Sequence, residues 1–166
     1  MKIVFRLILL AGVVALGWWF WGVCFPSPEK VVLKKMAGLA DTLSFGSDAN
    51  NISRATKASS FISYFSVDAQ IIVDVPELGS HTLNGRDEIR EAGNGGFAGL
   101  PSLKVSFLDS TAKVGPDKQT ADVSCTVRVV VGNNAKDFGV EEMHFKFKKI
   151  NGDWRITLVE TVKTLK

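Results

Sequence analysis

From Leu103 onward, apolar and polar residues alternate with a period of two, the pattern of strands with one face packed and one wet. Leu103, Val105 and Phe107 form the first apolar set, and Ala121, Val123, Cys125, Val127, Val129 and Val131 the second. Met143, Phe145 and Phe147 mark a third strand, and Trp154, Ile156 and Leu158 a fourth. The stretches between them, "GPDK", "GNNAKD" and "NGD", carry hairpin chemistry. Residues 101–166 therefore read as an antiparallel meander. Trp154, opening the last strand, is expected to be a core anchor.

The first half has a helical period instead. "SPEK" offers Ser27 as N-cap, Pro28 at the first helical position and Glu29 in the first turn. Val32, Met36, Leu39 and Leu43 then recur at helical spacing, which predicts a helix over about residues 28 to 45. Gly46 ends it, and Ser47 or Asp48 can cap a second helix whose Ile52, Ala55, Ser59, Ile62 and Phe65 would share one face. "AQIIVDVP" predicts a strand from about 68 to 75, and "HTLN" can pair with it. "NGRDEIREA" reads as a short helix with Asn84 as cap and Asp87 and Glu88 in its first turn. It is expected to dissolve into a glycine-rich connection or lid, "GNGGFAGLPS". That loop follows a helix rather than a strand and lacks the Lys-Ser/Thr ending of a P-loop.

Ahead of all this lies "LILLAGVVALGWWFWGVCF", residues 7 to 25, 19 residues without a charge, preceded by Lys2 and Arg6. At ~1.5 Å rise per residue it would make roughly 28 Å of helix, close to the thickness of a bilayer's hydrocarbon. Its distal end is bulky, with Trp18, Trp19, Phe20 and Trp21, and no small-residue cleavage pattern follows. We expect an uncleaved, single-pass transmembrane anchor over residues 1–27, followed by one domain over 28–166. The short basic N-terminus favours an extracytoplasmic domain.

Setting Lys2 and Arg6 aside, 18 Lys plus Arg face 17 Asp plus Glu, so the domain is nearly neutral. The "KFKKINGDWR" segment is broken by aromatics and answered by acidic neighbours, which argues against nucleic acid. Of two cysteines, Cys24 stands at the edge of the apolar segment and Cys125 reads as a small buried hydrophobe. With two histidines far apart and no cysteine pairs, no metal site is expected, and no motif calls for a cofactor.

The order helix, helix, strand, short helix, long antiparallel strands is an α+β arrangement with helices over one face of a curved sheet. "YFSVDAQIIVDVP", "LNGRDEIREA" and the terminal "FKFKKINGDWRITLVETV" resemble the nuclear transport factor 2-like superfamily, which includes SnoaL-like cyclases and ketosteroid isomerases. The resemblance implies a cone-shaped antiparallel sheet, a cystatin-like α+β roll, with a pocket between helices and sheet. In isomerase-like members a carboxylate base stands late in the first strand, opposite a hydroxyl or protonated carboxyl. Here Asp74 is in that stretch, but ungapped alignment of "YFSVDA" puts Val73 at the base position, and one residue in a strand reverses the face. The single tyrosine, Tyr64, is near the end of the second helix, whereas the family's catalytic tyrosine is on the first.

A second candidate is His144 as general base with Glu142, two apart on one strand, as its orienting carboxylate. Lys146 and Lys148 continue that face. His81 sits in a polar turn, and Ser124 and Cys125 have no nearby histidine in sequence. The expected function is a membrane-anchored, non-enzymatic domain that binds a small apolar ligand or a protein partner and forms a homodimer through its sheet. The alternatives are an isomerase, dehydratase or cyclase-like enzyme using Asp74 or His144, and a scaffold subunit in an envelope complex.

Overall fold

The computed structural model describes residues 26–75, 79–132 and 137–162. The expected anchor, residues 7–25, lies outside them. Among the described residues no helix is long and apolar enough to cross a membrane.

Helix α1 (Pro28–Leu43) starts as its sequence dictates, with Ser27 accepting from the Lys30 N–H at 3.5 Å and Pro28 at the first position. It buries Val32, Met36 and Leu39. At its end Ser44 turns the chain: its hydroxyl bonds the Ala40 carbonyl at 2.7 Å and accepts from the Val105 N–H at 3.0 Å. Phe45 and Leu103 then exchange both backbone hydrogen bonds, at 2.7 and 2.9 Å.

Helix α2 (Asn51–Phe61) is capped by Asn50, whose Oδ1 accepts from Ser53 N–H at 2.8 Å, rather than by Ser47 or Asp48. Its buried face is Ala58 and Phe61, continued by Phe65, not the expected Ile52, Ala55 and Ser59. Ile52 is 78% exposed. Helical period alone allowed both faces, and Phe61 decides between them by packing on Phe65 and Phe97 at ring distances of 5.6 and 5.9 Å. A 3₁₀ turn (Ile62–Tyr64) leads into strand β1 (Phe65–Val75), which begins earlier than expected and pairs with β2 (Gly79–Asn84).

Helix α3 (Gly85–Gly99) overturns the expected glycine-rich connection, because it continues through Gly93, Gly95 and Gly96. Glycine costs a helix up to ~1 kcal/mol against alanine, and burial of Ile89 and Phe97 offsets it. Phe97 stacks on Phe45 at 5.4 Å. At Gly93 the approach is so close that a Cβ would stand 2.3 Å from the Phe61 ring. Arg54 secures the helix's far end by donating to the Leu100 and Pro101 carbonyls at 2.8 and 3.0 Å.

The meander is β3 (Leu103–Val114), β4 (Thr120–Val131), β5 (Asp137–Ile150) and β6 (Asp153–Thr161). The sheet order is β2-β1-β6-β5-β4-β3, and only the β1–β6 pair is parallel. Asn151 and Gly152, with φ of 52° and 88°, make the β5–β6 turn, where two positive φ values match the strands' twist. The inner face carries the alternating set, with Val123, Phe147, Trp154 and Ile156 all buried against the helices. One position departs from the alternation. Lys146 pairs with Leu158 while Phe147 pairs with Ile156, so Thr157 is an extra residue. That bulge reverses the faces beyond it and buries Val159 where Leu158 was expected.

Candidate functional site

Between α1 and β3, at the sheet edge, the fold leaves an open cavity of about 960 Å³. Ser44 and Phe45 clip the end of the helix to β3, and α1 presents small residues, Ala37 and Ala40, to the gap. Leu33, Met36, Val105 and Phe107 supply most of the apolar wall. Phe107 is held edge-on against Phe145 at 5.6 Å. The Ser44 hydroxyl on this wall is engaged by backbone groups on both sides. Asp41, Asp48 and Lys104 are the ionisable side chains of acid or base type that line the cavity, and all three are exposed.

Ser110 reaches the cavity from the β3 bulge, which falls between Leu108 and Thr111 and puts Asp109 at φ 50°. Beside it Cys125 is buried; loss of solvent pushes its thiol up to about 11, against a smaller opposing effect of the Ser110 hydroxyl. It is therefore no thiolate nucleophile at neutral pH.

None of the three residues singled out by sequence lines this cavity. Asp74 is half-buried in β1 opposite Ser80, and its N–H donates to the Thr161 hydroxyl at 3.0 Å. His144 lies on the face of β5 opposite the buried Phe145 and Phe147. With β6 between β1 and β5, Asp74 and His144 are two strands apart, a lateral spacing of about 10 Å, and two residues out of register.

The expected pairing of His144 with Glu142 is corrected by the register. His144 Nδ1 is 3.1 Å from Glu160 and Nε2 3.3 Å from Asp122, so its carboxylates come from the strands on either side. Residues two apart on a strand share a face but stand farther from each other than cross-strand neighbours do. Sequence reasoning missed Asp122 and Glu160, although the position of Asp122 between buried Ala121 and Val123 already turns it outward. A carboxylate thus stands beside each ring nitrogen of His144, on the face of the sheet away from the cavity. Glu142 is exposed and lines a separate shallow cavity of about 340 Å³ with Asp109, Thr111 and Ser124.

Tyr64 packs on α1, its hydroxyl 3.4 Å from Thr42 Oγ1. A Cβ at Gly38 would meet that hydroxyl at 2.9 Å, so glycine makes the approach possible. Among the described residues, no three His, Cys, Asp or Glu side chains are placed to hold a metal ion.

No family model matches the sequence, and no curated protein matches it. Many solved structures share the fold. A nuclear transport factor 2-like protein with a cystatin-like fold from Novosphingobium aromaticivorans superposes with a TM-score of 0.62 at 16% identity, over 80% of this chain and 79% of its own. A nuclear transport factor 2-like protein of unknown function from Pseudomonas putida KT2440 gives 0.64 at 9%, over 83% and 87%. A proposed scytalone dehydratase from Novosphingobium aromaticivorans gives 0.58 at 14%, over 82% and 83%. At these identities the likeness is one of fold, and it bears out the resemblance read from the sequence: the chain has the nuclear transport factor 2-like, cystatin-like fold.

Proposed function

We propose, from the premise of a nuclear transport factor 2-like fold, that this domain binds a small, mainly apolar molecule in the cavity between α1 and β3 and does not transform it. One observation carries this reading. The cavity wall is mainly apolar, with Leu33, Met36, Val105 and Phe107 among serines, while the ionisable Asp41, Asp48 and Lys104 are exposed. Its volume of about 960 Å³ suits a small-molecule site. General acids and bases are tuned by burial and by charged neighbours, and an exposed carboxylate has neither to the degree catalysis needs. Apolar residues 7–25 would hold the domain at a membrane as a single-pass anchor.

The competing reading is an isomerase, dehydratase or cyclase of the kind some fold neighbours are described as. It would need Asp74 or His144 as base, and neither lines the cavity. Native mass spectrometry of the full chain, released from detergent in the gas phase, separates the two. The expected result is an added small mass that is lost in Ala40→Trp and kept in Asp74→Asn and His144→Gln. An apo wild type would overturn the binding reading, and a product-forming activity abolished by Asp74→Asn or His144→Gln would establish the enzyme.

A further inference from the structure

We infer that the cavity's ligand is an acyl chain of a membrane lipid, taken directly from the bilayer along α1. This rests on the proposed function above and names the ligand's class and its route.

Most of the cavity's lining on α1 falls on one helical stripe, with Met36 and Asp41 beside it. Leu33, Ala37, Ala40 and Ser44 follow one another at three- and four-residue spacing and all face the gap. Continued one turn toward the N-terminus, the same stripe reaches Lys30, which is exposed and stands two residues inside the helix. The uncharged run of residues ends at Phe25, and α1 starts at Pro28. Three residues of chain span at most about 10 Å, and the five from Pro28 to Leu33 rise about 7.5 Å. The near end of the cavity therefore stands within roughly 18 Å of the end of the apolar run, with a headgroup layer of about 6 Å filling part of that distance.

Charge on the path fits a lipid. Lys30 and Lys34 are both exposed on the first turns of α1, where an ammonium attracts lipid phosphate. Beyond them the wall is apolar at Leu33, Ala37, Ala40, Val105 and Phe107, and Asp41, Asp48 and Lys104, which also line it, are exposed. A chain drawn out of the bilayer loses about 0.8 kcal/mol for each methylene exposed to water, and a groove that starts beside the headgroups spares most of that exposure. A ligand arriving through water would gain nothing from this placement.

The test uses the full chain in nanodiscs of phosphatidylcholine and phosphatidylglycerol, with a phospholipid that carries a diazirine on one acyl chain. After photolysis, label is expected on peptides spanning Leu33–Ser44 and Val105–Ser110 as well as on residues 7–25. In Ala40→Trp, and in Ala37→Trp at an exposed position that leaves the core intact, label on the two cavity peptides should fall at least about fivefold, the equivalent of about 1 kcal/mol. Label on residues 7–25 should stay unchanged. A water-soluble, short-chain diazirine acid added to the same nanodiscs is the second arm. If it labels the cavity peptides while the phospholipid labels only residues 7–25, the lipid inference is overturned and the binding function stands. If neither probe labels the cavity peptides, both fall.

Discussion

The two faces of the sheet differ in kind. The helix-covered face is a packed aromatic and aliphatic layer, with Phe145, Phe147, Trp154 and Ile156 at most 4% exposed. It gives way to space at the β3 edge, where alanines of α1 face the gap. The opposite face carries the charge: Asp122, Glu142, His144, Lys146 and Glu160, with His144 touching a carboxylate on the strand to either side of it. His144 and the carboxylates that touch it are on the second face, and the cavity is on the first. Histidines and carboxylates draw the eye in a sequence, but in a strand their parity with the buried positions decides whether they can serve a pocket at all. Here that parity sends them to the solvent side.

The sharpest way to break this contrast is to truncate neighbours on opposite faces of one strand. Phe147→Ala removes a fully buried ring and should cost about 3–5 kcal/mol. His144→Ala removes a partly exposed pair of contacts and should cost less than about 1 kcal/mol. Urea unfolding of the full chain in detergent measures both. Equal losses would mean that the charged face is itself covered in the protein's working state, and the homodimer through the sheet would become the leading account of it.

A second contrast lies within the inner layer, along α3. Gly93→Ala would drive a methyl group into the Phe61 ring, where a Cβ would stand at 2.3 Å, and Phe61 is fixed by Phe65 and Phe97. A loss of about 1–3 kcal/mol is expected. Gly95→Ala meets nothing within 4 Å and should instead stabilise the helix by about 0.5–1 kcal/mol. Thermal unfolding of the two variants should therefore move in opposite directions, and a parallel shift would show that α3 is not packed on Phe61 as described.

The same helix marks the limit of what the sequence discloses. Strands β3 to β5 and the α1 stripe were legible because one face of each is buried, so the period of apolar residues reports the structure directly. The glycines of α3 were not, since their local preference opposes a helix and only the tertiary contacts of Phe61 and Phe97 reverse it. The buried face of α2 failed for a related reason: eleven residues with few large side chains leave the period ambiguous until Phe61 finds its partners. Leu158 and Val159 exchanged places because a single-residue bulge has no signature in composition. The cavity was invisible for a different reason. It is defined by where side chains are small and by a clip through Ser44 and Leu103, residues far apart in the chain that no local pattern connects.

The smallest effect expected is also the most local probe of the inner face. Cys125 is buried, lining the shallow cavity it shares with Ser124 and Glu142, and burial raises its thiol from an ordinary value of 9.0 to about 11. At pH 8 the thiolate fraction in the folded chain is thus about 100-fold below that of a free thiol, and because the thiolate is the nucleophile, alkylation by iodoacetamide at Cys125 should be slowed at least that much, read peptide by peptide so that Cys24 does not interfere. The linkage has a definite sign. A raised folded-state pKa favours the native state fully below pH 9 and loses that favour as pH climbs through about 11. Wild type should therefore lose stability between pH 9 and pH 11 more steeply than Cys125→Ala, in which the other titrating groups are unchanged. Alkylation at the rate of a free thiol at pH 8, with the chain still folded, would mean that water reaches Cys125 through the shallow cavity it lines and that its burial there is not maintained.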